Sequence, residues 1–181
     1  MAEFKSFDKN VEVNGPTVLS VINAMKGFEA IADEILKENG IENPAEDTWH
    51  NQQAWLSAFE KIGEKLGSNT LFLIGKAIPE NAQFPPEIDN LEKGLASIDM
   101  AYQMNHRGGD IGYYKLVSFD GKNRKAVMEC KNPYPSDFDK GIITSIVRKF
   151  GPDDAAEEVV LDDSKPTRKN GADSCTYQIE W

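Results

Sequence analysis

The sequence has few cysteines, few cationic residues and no long apolar run, and each shortage excludes a class of protein. The two cysteines, Cys130 and Cys175, are too few for a disulfide framework, which favours a cytoplasmic protein. Lys and Arg total 20 against 30 Asp and Glu, and a formal net charge of −10 repels phosphate backbones, so we expect no nucleic-acid partner. No apolar run approaches the ~20 residues that span a bilayer, and residues 1–10 lack the apolar stretch of a signal peptide.

Motifs for common catalytic chemistry are also missing. The chain has no glycine-rich phosphate loop, no G-x-S-x-G and no H-E-x-x-H, so nothing in it requires an enzyme. Its two histidines, His50 and His106, could complete a zinc site with the two cysteines. None of these four residues has the close spacing that makes zinc a strong prediction, so the metal remains an open alternative.

Apolar spacing divides the chain into a helical half and a strand-rich half. A length of 181 residues favours one domain, with a loose arm (at most a short strand) over 1–15, helices over 16–109 and strands with one helix over 110–181. In the helical half, apolar spacing and stop signals predict four helices. The first covers 16–39 with a break near Gly27, and the second runs from a cap at Asp47 or Thr48 to Gly67. The third covers 70–78, and the fourth covers 87–106 and ends before Gly108-Gly109.

After Gly109 the apolar period changes to two. Asp120-Gly121 is a strong hairpin signal between strands over 111–119 and 122–130. A two-residue loop there would put these residues on one face: Ile111, Tyr113, Val117, Ala126, Met128 and Cys130. Further strands are predicted over 157–163 and 175–181, separated by a polar loop over 165–173.

The stretch from Cys130 to Gly151 joins a strand to an amphipathic helix. Pro133 and Pro135 hold the turn extended. Ser136 is then expected to cap the helix, with the Asp139 carboxylate completing a capping box. The helix presents one apolar face made of these residues: Phe138, Ile142, Ile143, Ile146, Val147 and Phe150. The predicted fold is α+β, with the helical half packed on an antiparallel sheet of about four strands in β-β-α-β-β order.

Four sequence features carry a resemblance to a known superfamily. They are the helix end Asn105–Gly109 followed by IGYY, the hairpin ending in Cys130, the turn NPYPSDFDKG over 132–141, and the closing CTYQIEW. Together they resemble the superfamily of heme-nitric-oxide-binding domains and 4-vinyl-reductase-like domains over about residues 85–181. The chain is closer to the vinyl-reductase-like branch, since the Tyr-x-Ser-x-Arg motif that grips heme propionates in the other branch is absent.

The resemblance implies a pocket between helices and sheet that holds a hydrophobic, aromatic or tetrapyrrole ligand. In relatives this fold serves as a gas sensor through heme, a sensor of aromatic effectors or a tetrapyrrole-handling factor. It also implies a homodimer and a separate signalling protein as output partner. Heme or another tetrapyrrole is therefore the cofactor to consider.

Aromatic, histidine and cysteine side chains supply the candidate ligand-binding residues. His106 could ligate heme iron or hydrogen-bond a ligand, with His50 as the less favoured axial ligand, although a cation at a helix C-terminus often only complements the dipole. Cys130 and Cys175 occupy inward strand positions. Three interpretations are open: two core residues, a shared metal site, or a redox pair. The predicted ligand-binding set is His106, Arg107, Tyr102, Tyr113, Tyr134, Trp55, Cys130 and Cys175, with Trp49, Tyr177 and Trp181 as further aromatic candidates.

The function predicted from the sequence is a sensory or carrier module for a hydrophobic ligand. A heme-binding gas or redox sensor and a tetrapyrrole-processing factor are the alternatives, and a structural scaffold is a fourth.

Overall fold

A computed structural model describes residues 3–25 and 27–181 of the chain. Within them lie six helices and two antiparallel sheets. The helices are α1 (Gly15–Ala24), α2 (Glu29–Glu38), α3 (Gln52–Leu66), α4 (Ser68–Asn81), α5 (Leu91–Asn105) and α6 (Ser136–Phe150). The strands are β1 (Glu12–Asn14), β2 (Trp49–Asn51), β3 (His106–Arg107), β4 (Tyr113–Asp120), β5 (Lys125–Lys131), β6 (Glu158–Leu161) and β7 (Cys175–Glu180).

The larger sheet confirms the predicted α+β fold. Its four strands run in the order β4-β5-β7-β6, every neighbouring pair is antiparallel, and α6 intervenes between β5 and β6. The closing strand alternates as expected from Tyr177 onward, because Tyr177 and Ile179 are buried while Gln178 and Glu180 are exposed. At its start both Cys175 and Thr176 are buried. None of the helices in the described ranges is long and apolar enough to cross a membrane.

The predicted hairpin register was wrong. Asp120 pairs with Lys125, so the loop has four residues, 121–124, and Arg124 takes a left-handed φ of 55°. A bulge between Leu116 and Ser118 shifts the register again. Tyr114 rather than Tyr113 is therefore opposite Cys130 and buried, and Val117 is 51% exposed instead of inward.

The N-terminal arm is held in place, contrary to the expectation of a loose segment. β1 is the centre of a small sheet of order β2-β1-β3, and Val11 and Val13 are fully buried. The Phe4 amide donates to the Pro133 carbonyl at 2.7 Å. Of the predicted arm, residues 1 and 2 lie outside the described part of the chain.

Helix boundaries in the N-terminal half follow caps that the sequence reading missed. The side chain of Asn51, not Asp47 or Thr48, accepts from Ala54 N at the start of α3, and Asn90 starts α5 later than predicted. The break before α2 is confirmed at Gly27, which has a φ of 85°. α4 continues through Pro79 to Asn81, whereas a stop at residue 78 was expected.

Helix α6 has the predicted length and apolar face but a different cap. Pro135 is the N-cap residue, and the Glu3 carboxylate accepts from the Ser136 amide at 2.7 Å and from its hydroxyl. α6 packs closely against α4, where a Cβ on Gly75 would stand 2.1 Å from the Phe138 carbonyl and one on Gly141 would stand 2.2 Å from the Phe72 carbonyl. These two glycines allow the helix backbones to touch.

The predicted capping role of Asp139 is replaced by a buried ion pair. Asp139 is fully buried and pairs with Arg168, which belongs to a short 3₁₀ helix, Arg168–Asn170, inside the predicted polar loop. The Arg168 guanidinium also donates to the Cys130 carbonyl at 2.7 Å, and Asn132 donates to the Asp139 carboxylate at 3.3 Å. The loop is therefore anchored to α6 and β5 by one arginine.

We expect Arg168→Met to lower the free energy of unfolding by roughly 3–5 kcal/mol, because it leaves Asp139 buried without its cation. Urea unfolding at pH 7 measures the effect. The double variant Arg168→Met with Asp139→Asn removes both charges and should recover part of the loss. Equal stability of the single variant and the wild type would contradict a buried ion pair at this position.

Candidate ligand cavity

A cavity of about 440 Å³ lies between α1, α4, α5 and α6, a volume in the range of small-molecule sites. Its walls are mostly apolar side chains from these helices. The loop after α4 and one face of α5 also contribute lining residues. None of its lining residues in the described part of the chain is Asp, Glu, Lys or Arg. The apolar lining includes Val21, Trp55, Ile78, Phe84, Ile98, Met100, Met104, Phe138, Ile142 and Ile146.

His106 forms the polar end of the cavity as a neutral imidazole. It follows the last residue of α5, is only 7% exposed, and its Nδ1 lies 2.9 Å from the Tyr102 carbonyl oxygen. Since a carbonyl only accepts, Nδ1 carries the proton, and Nε2 accepts from the Tyr134 hydroxyl at 2.7 Å. Burial lowers the pKa of His106 from 6.5 to about 4, so the ring is uncharged at pH 7.

Two further tyrosines hold the wall around His106. The Tyr102 hydroxyl donates to the Ile111 carbonyl at 2.5 Å, and the Tyr114 hydroxyl donates to the Asp139 carboxylate at 2.5 Å. The rings of Tyr102 and Tyr114 meet edge to face, with centroids 5.2 Å apart. Both hydroxyl protons are thus committed to groups of the protein, and the Tyr114 contact joins the cavity to the Asp139–Arg168 pair.

The inner wall also holds two buried donors without partners. Trp55 is 1% exposed and stacks on Phe59, yet its indole Nε1–H makes no hydrogen bond. Gln52 is fully buried, and its Nε2 also has no partner, although its Oε1 is 2.6 Å from the Ser6 hydroxyl. Neither nitrogen is accessible from the empty cavity, and both lie near the Tyr134 hydroxyl, where they act to lower its pKa.

Four of the eight predicted ligand-binding residues line this cavity: Trp55, Tyr102, Tyr134 and His106. They come from α3, α5, the Pro133–Pro135 turn and the start of β3, so only the tertiary fold brings them together.

The other four predicted residues lie elsewhere. Arg107 is half exposed, pairs with Glu12 at 2.7 Å and stacks over Trp49. Tyr113 points away from the core and donates to Glu129. Their inclusion in the predicted site rested on their nearness in sequence to His106 and on the wrong hairpin register.

Cys130 and Cys175 are fully buried register partners on β5 and β7, outside the cavity lining. Burial raises the pKa of the Cys130 thiol. Within residues 3–25 and 27–181, no three His, Cys, Asp or Glu side chains cluster in a way that could hold a metal ion. His50, the alternative axial ligand, contacts the Thr48 hydroxyl at 2.9 Å and is not a lining residue.

The sequence reading missed Tyr114 and Gln52. Tyr114 was assigned to the outer face because the bulge between Leu116 and Ser118 was not foreseen. The longer loop alone moves the register by an even number of residues and would not change the face. Gln52 is the first residue of α3, a position usually exposed, and no local signal marks it as buried. Its burial follows from the N-terminal arm, because Ser6 and Val11 both contact it.

No protein-family model matches the chain, and no curated protein matches it in sequence. Solved structures do match in fold. An H-NOX protein from S. oneidensis in the Fe(II)NO ligation state is 11% identical with a TM-score of 0.65, covering 92% of this chain and 98% of that one. An unliganded Fe(II) H-NOX variant from K. algicida is 14% identical with a TM-score of 0.65, covering 92% and 95%.

A third structure is an oxygen-binding H-NOX domain related to soluble guanylate cyclases. It is 19% identical with a TM-score of 0.61, covering 92% of this chain and 94% of that domain. At such identities the likeness concerns the fold: this chain has the fold of H-NOX domains, as the resemblance implied for heme-nitric-oxide-binding relatives. The vinyl-reductase-like branch stays a prediction.

The neutral state of His106 predicts a pH dependence of stability. The unfolded chain protonates this histidine near pH 6.5 and the folded chain only near 4, so stability is lost as the pH falls between these values. The loss attributable to His106 is at most about 3 kcal/mol. Urea unfolding at pH 7 and pH 4 should show it in the wild type.

The glutamine in His106→Gln is uncharged at every pH. This variant should therefore lose the part of the difference in unfolding free energy between pH 7 and pH 4 that is due to His106. His50→Gln is the matched control, since His50 is more accessible, and it should retain most of the difference. The same pH dependence in His106→Gln as in the wild type would mean that His106 is not held neutral.

Proposed function

We propose that this chain is a sensory or carrier domain that binds a hydrophobic ligand in the cavity beside α5 and α6. The observation that carries the proposal is an apolar cavity of about 440 Å³ with a neutral histidine in its wall. The lining residues Met100 and Met104 are 50% and 72% exposed, so the cavity opens to solvent and leaves apolar surface uncovered, as ligand-binding sites do. The described lining contains no carboxylate, lysine, arginine or cysteine beside the His106–Tyr134 pair, which favours binding over catalysis.

The comparisons favour heme as the ligand, and hence a gas or redox sensor, over the other ligand classes. The similar solved structures include H-NOX proteins in the Fe(II), Fe(II)NO and oxygen-bound states, and one concerns heme distortion in the H-NOX family. In this chain His106 has the tautomer of a metal ligand, with Nδ1–H bonded to a backbone carbonyl and a lone pair on Nε2. Bound heme would supply an iron centre for gas binding or redox chemistry.

The lining residues offer a ligand for the iron of heme but no partner for the heme carboxylates. His106 would hold the iron through Nε2, which is hydrogen-bonded to the Tyr134 hydroxyl in the ligand-free structure. The carboxylates have no cationic partner among the described lining residues, and the nearest match to Tyr-x-Ser-x-Arg, Tyr134-x-Ser136, has Phe138 in place of the arginine. Carboxylates enclosed without cations carry a large desolvation cost.

A neutral aromatic or hydrophobic effector is the second candidate, and the uncharged lining favours it. Such a ligand needs no cation and gains from contact with the ring of Phe138 and the aliphatic side chains of α5 and α6. A vinyl-reductase-like or tetrapyrrole-processing role is a separate alternative, because a tetrapyrrole substrate would bring the same carboxylates as heme. We also propose that the protein forms a homodimer, that it signals through a separate output protein, and that it is located in the cytoplasm.

An absorbance titration with hemin distinguishes the two candidates. If heme is the ligand, the purified chain should give a sharp Soret band at one equivalent of hemin, and His106→Ala should lose it. His50→Ala should behave as the wild type. A broad spectrum unchanged by His106→Ala would exclude His106 as the iron ligand and favour the neutral effector.

A cavity-filling substitution tests the ligand site for either class. Ala101 is an exposed residue of α5 that lines the cavity, so Ala101→Trp should occupy part of it and weaken ligand binding at least roughly tenfold. Thermal-shift and calorimetric titrations with hemin and with neutral aromatic compounds provide the measurement. Ala96→Trp, at an exposed position of the same helix outside the lining, is the matched control. Equal binding by both variants would indicate that the ligand binds elsewhere on the protein.

A further inference from the structure

We propose that the cavity selects neutral hydrophobic ligands with an acceptor oxygen, which is bound by the side-chain amide of Asn105 at the opening. This inference rests on the proposed function, because it assumes that the cavity binds a ligand. It adds a chemical class to the neutral-effector candidate: a largely apolar molecule with one carbonyl-type oxygen, such as an aryl ketone.

Asn105 is the last residue of α5 and one of the lining residues of the cavity. It follows Met104, which is 72% exposed, and is itself partly exposed. Its Nδ2 donates to no described residue, and this atom is accessible, unlike the buried Nε1 of Trp55. A ligand at the opening of the cavity can therefore reach a free donor on Asn105.

Three contacts fix which way the Asn105 amide is turned. Asn14 Oδ1 accepts from the Thr17 backbone N–H at 3.0 Å, and a backbone N–H only donates. The other end of the Asn14 side chain is therefore its NH₂ group, which lies 2.7 Å from Asn105 Oδ1. Since Asn105 meets this donor with its oxygen, its own NH₂ group is the end that remains for a ligand.

The same contacts hold the Asn105 amide in place. Asn14 is the last residue of β1 and the N-cap of α1, and its Oδ1 also accepts from the Thr17 hydroxyl at 2.7 Å. The end of α5 is thus tied through one amide to β1 and to the first turn of α1. A donor held in this way loses less side-chain entropy on binding than a flexible one, which favours its use in recognition.

The other hydrogen-bonding groups of the described lining offer no comparable donor. Six lining residues carry a hydroxyl, and each hydroxyl donates to a protein acceptor: Thr17, Ser20, Ser97, Tyr102, Tyr114 and Tyr134. Asn81 donates to the Ala77 carbonyl at 2.8 Å. Gln83 is exposed, and no hydrogen bond to a described residue orients its amide. The oriented donor that is free for a ligand is therefore the Asn105 amide.

The charge of the site favours a neutral acceptor over an anionic one. The described lining contains no Lys or Arg, so a carboxylate would leave water without gaining a cation. The formal net charge of −10 also repels anions from the protein as a whole. A ketone oxygen meets the amide donor without either cost.

Tetralin, a hydrocarbon, and 1-tetralone, its ketone, share one ring skeleton and test the inference. In ¹⁵N-labelled wild-type protein, the side-chain NH₂ resonances of Asn105 should move downfield with 1-tetralone and not with tetralin. This measurement needs no substitution, so it decides the question even if a variant fails to fold.

Asn105→Asp replaces the free NH₂ group by an oxygen and keeps an oxygen for Asn14. In titration calorimetry on the full chain, this variant should bind tetralin as the wild type does. The ratio of its affinities for 1-tetralone and tetralin should fall by roughly twofold to tenfold, the range expected for one neutral hydrogen bond. It should also bind the ammonium form of 1-aminotetralin roughly twofold to fivefold more tightly than the wild type, as a partly exposed ion pair would.

Gln83→Glu is the matched control, because it places the same charge on another lining residue whose amide is not oriented. It should leave the ratio of the affinities for 1-tetralone and tetralin at the wild-type value. An equal fall of this ratio in both variants would assign the effect to charge and overturn the inference.

Two other results would overturn the inference and leave the proposed function intact. One is an affinity ratio in Asn105→Asp equal to that of the wild type, with Asn105 NH₂ resonances that do not respond to bound 1-tetralone. The other is a chain that binds hemin but neither tetralin nor 1-tetralone. If hemin and neutral aromatic compounds all fail to bind, the proposed function is overturned as well.

Discussion

The buried ion pair between Asp139 and Arg168 is the interaction on which most of the C-terminal half depends. It joins the first turn of α6 to a loop nearly thirty residues later, and Arg168 extends it to the Cys130 carbonyl on β5. Tyr114 donates to the same carboxylate and also lines the ligand cavity. One wall of the cavity is therefore fixed by a charge pair that no ligand touches, and the geometry of the site depends on the anchoring of a polar surface loop.

Periodicity in the sequence was sufficient to predict the α+β fold and the order of the C-terminal elements. Apolar spacing identified α6, and alternation identified β7, since these patterns are local and each element has one buried face. The small sheet around β1 was missed because its strands have only two or three residues each and pair across long sequence separations. The same holds for the Glu3 cap of α6, which comes from 133 residues away.

Only half of the candidate site could be predicted, because local patterns are visible in the sequence and long-range contacts are not. Aromatic residues and a histidine were correctly singled out as pocket-forming, since their size and polar tips suit a cavity wall. Tyr114 could not be chosen over Tyr113 without knowledge of the bulge between Leu116 and Ser118, because a one-residue change of register moves every side chain beyond it to the other face. Arg168 looked like a residue of an exposed polar loop, and only its buried partner Asp139 reveals its role.

The contact between His106 and Tyr134 decides which ligand chemistry the cavity can accept. While the Tyr134 hydroxyl donates to Nε2, the lone pair of the histidine is unavailable to a metal. If heme were bound, His106 Nε2 would be the atom to hold its iron, and the Tyr134 hydroxyl would need another acceptor. The two ligand classes thus require different partners for one imidazole nitrogen, and the cavity can satisfy only one of them at a time. The stability of this single hydrogen bond sets the balance between them.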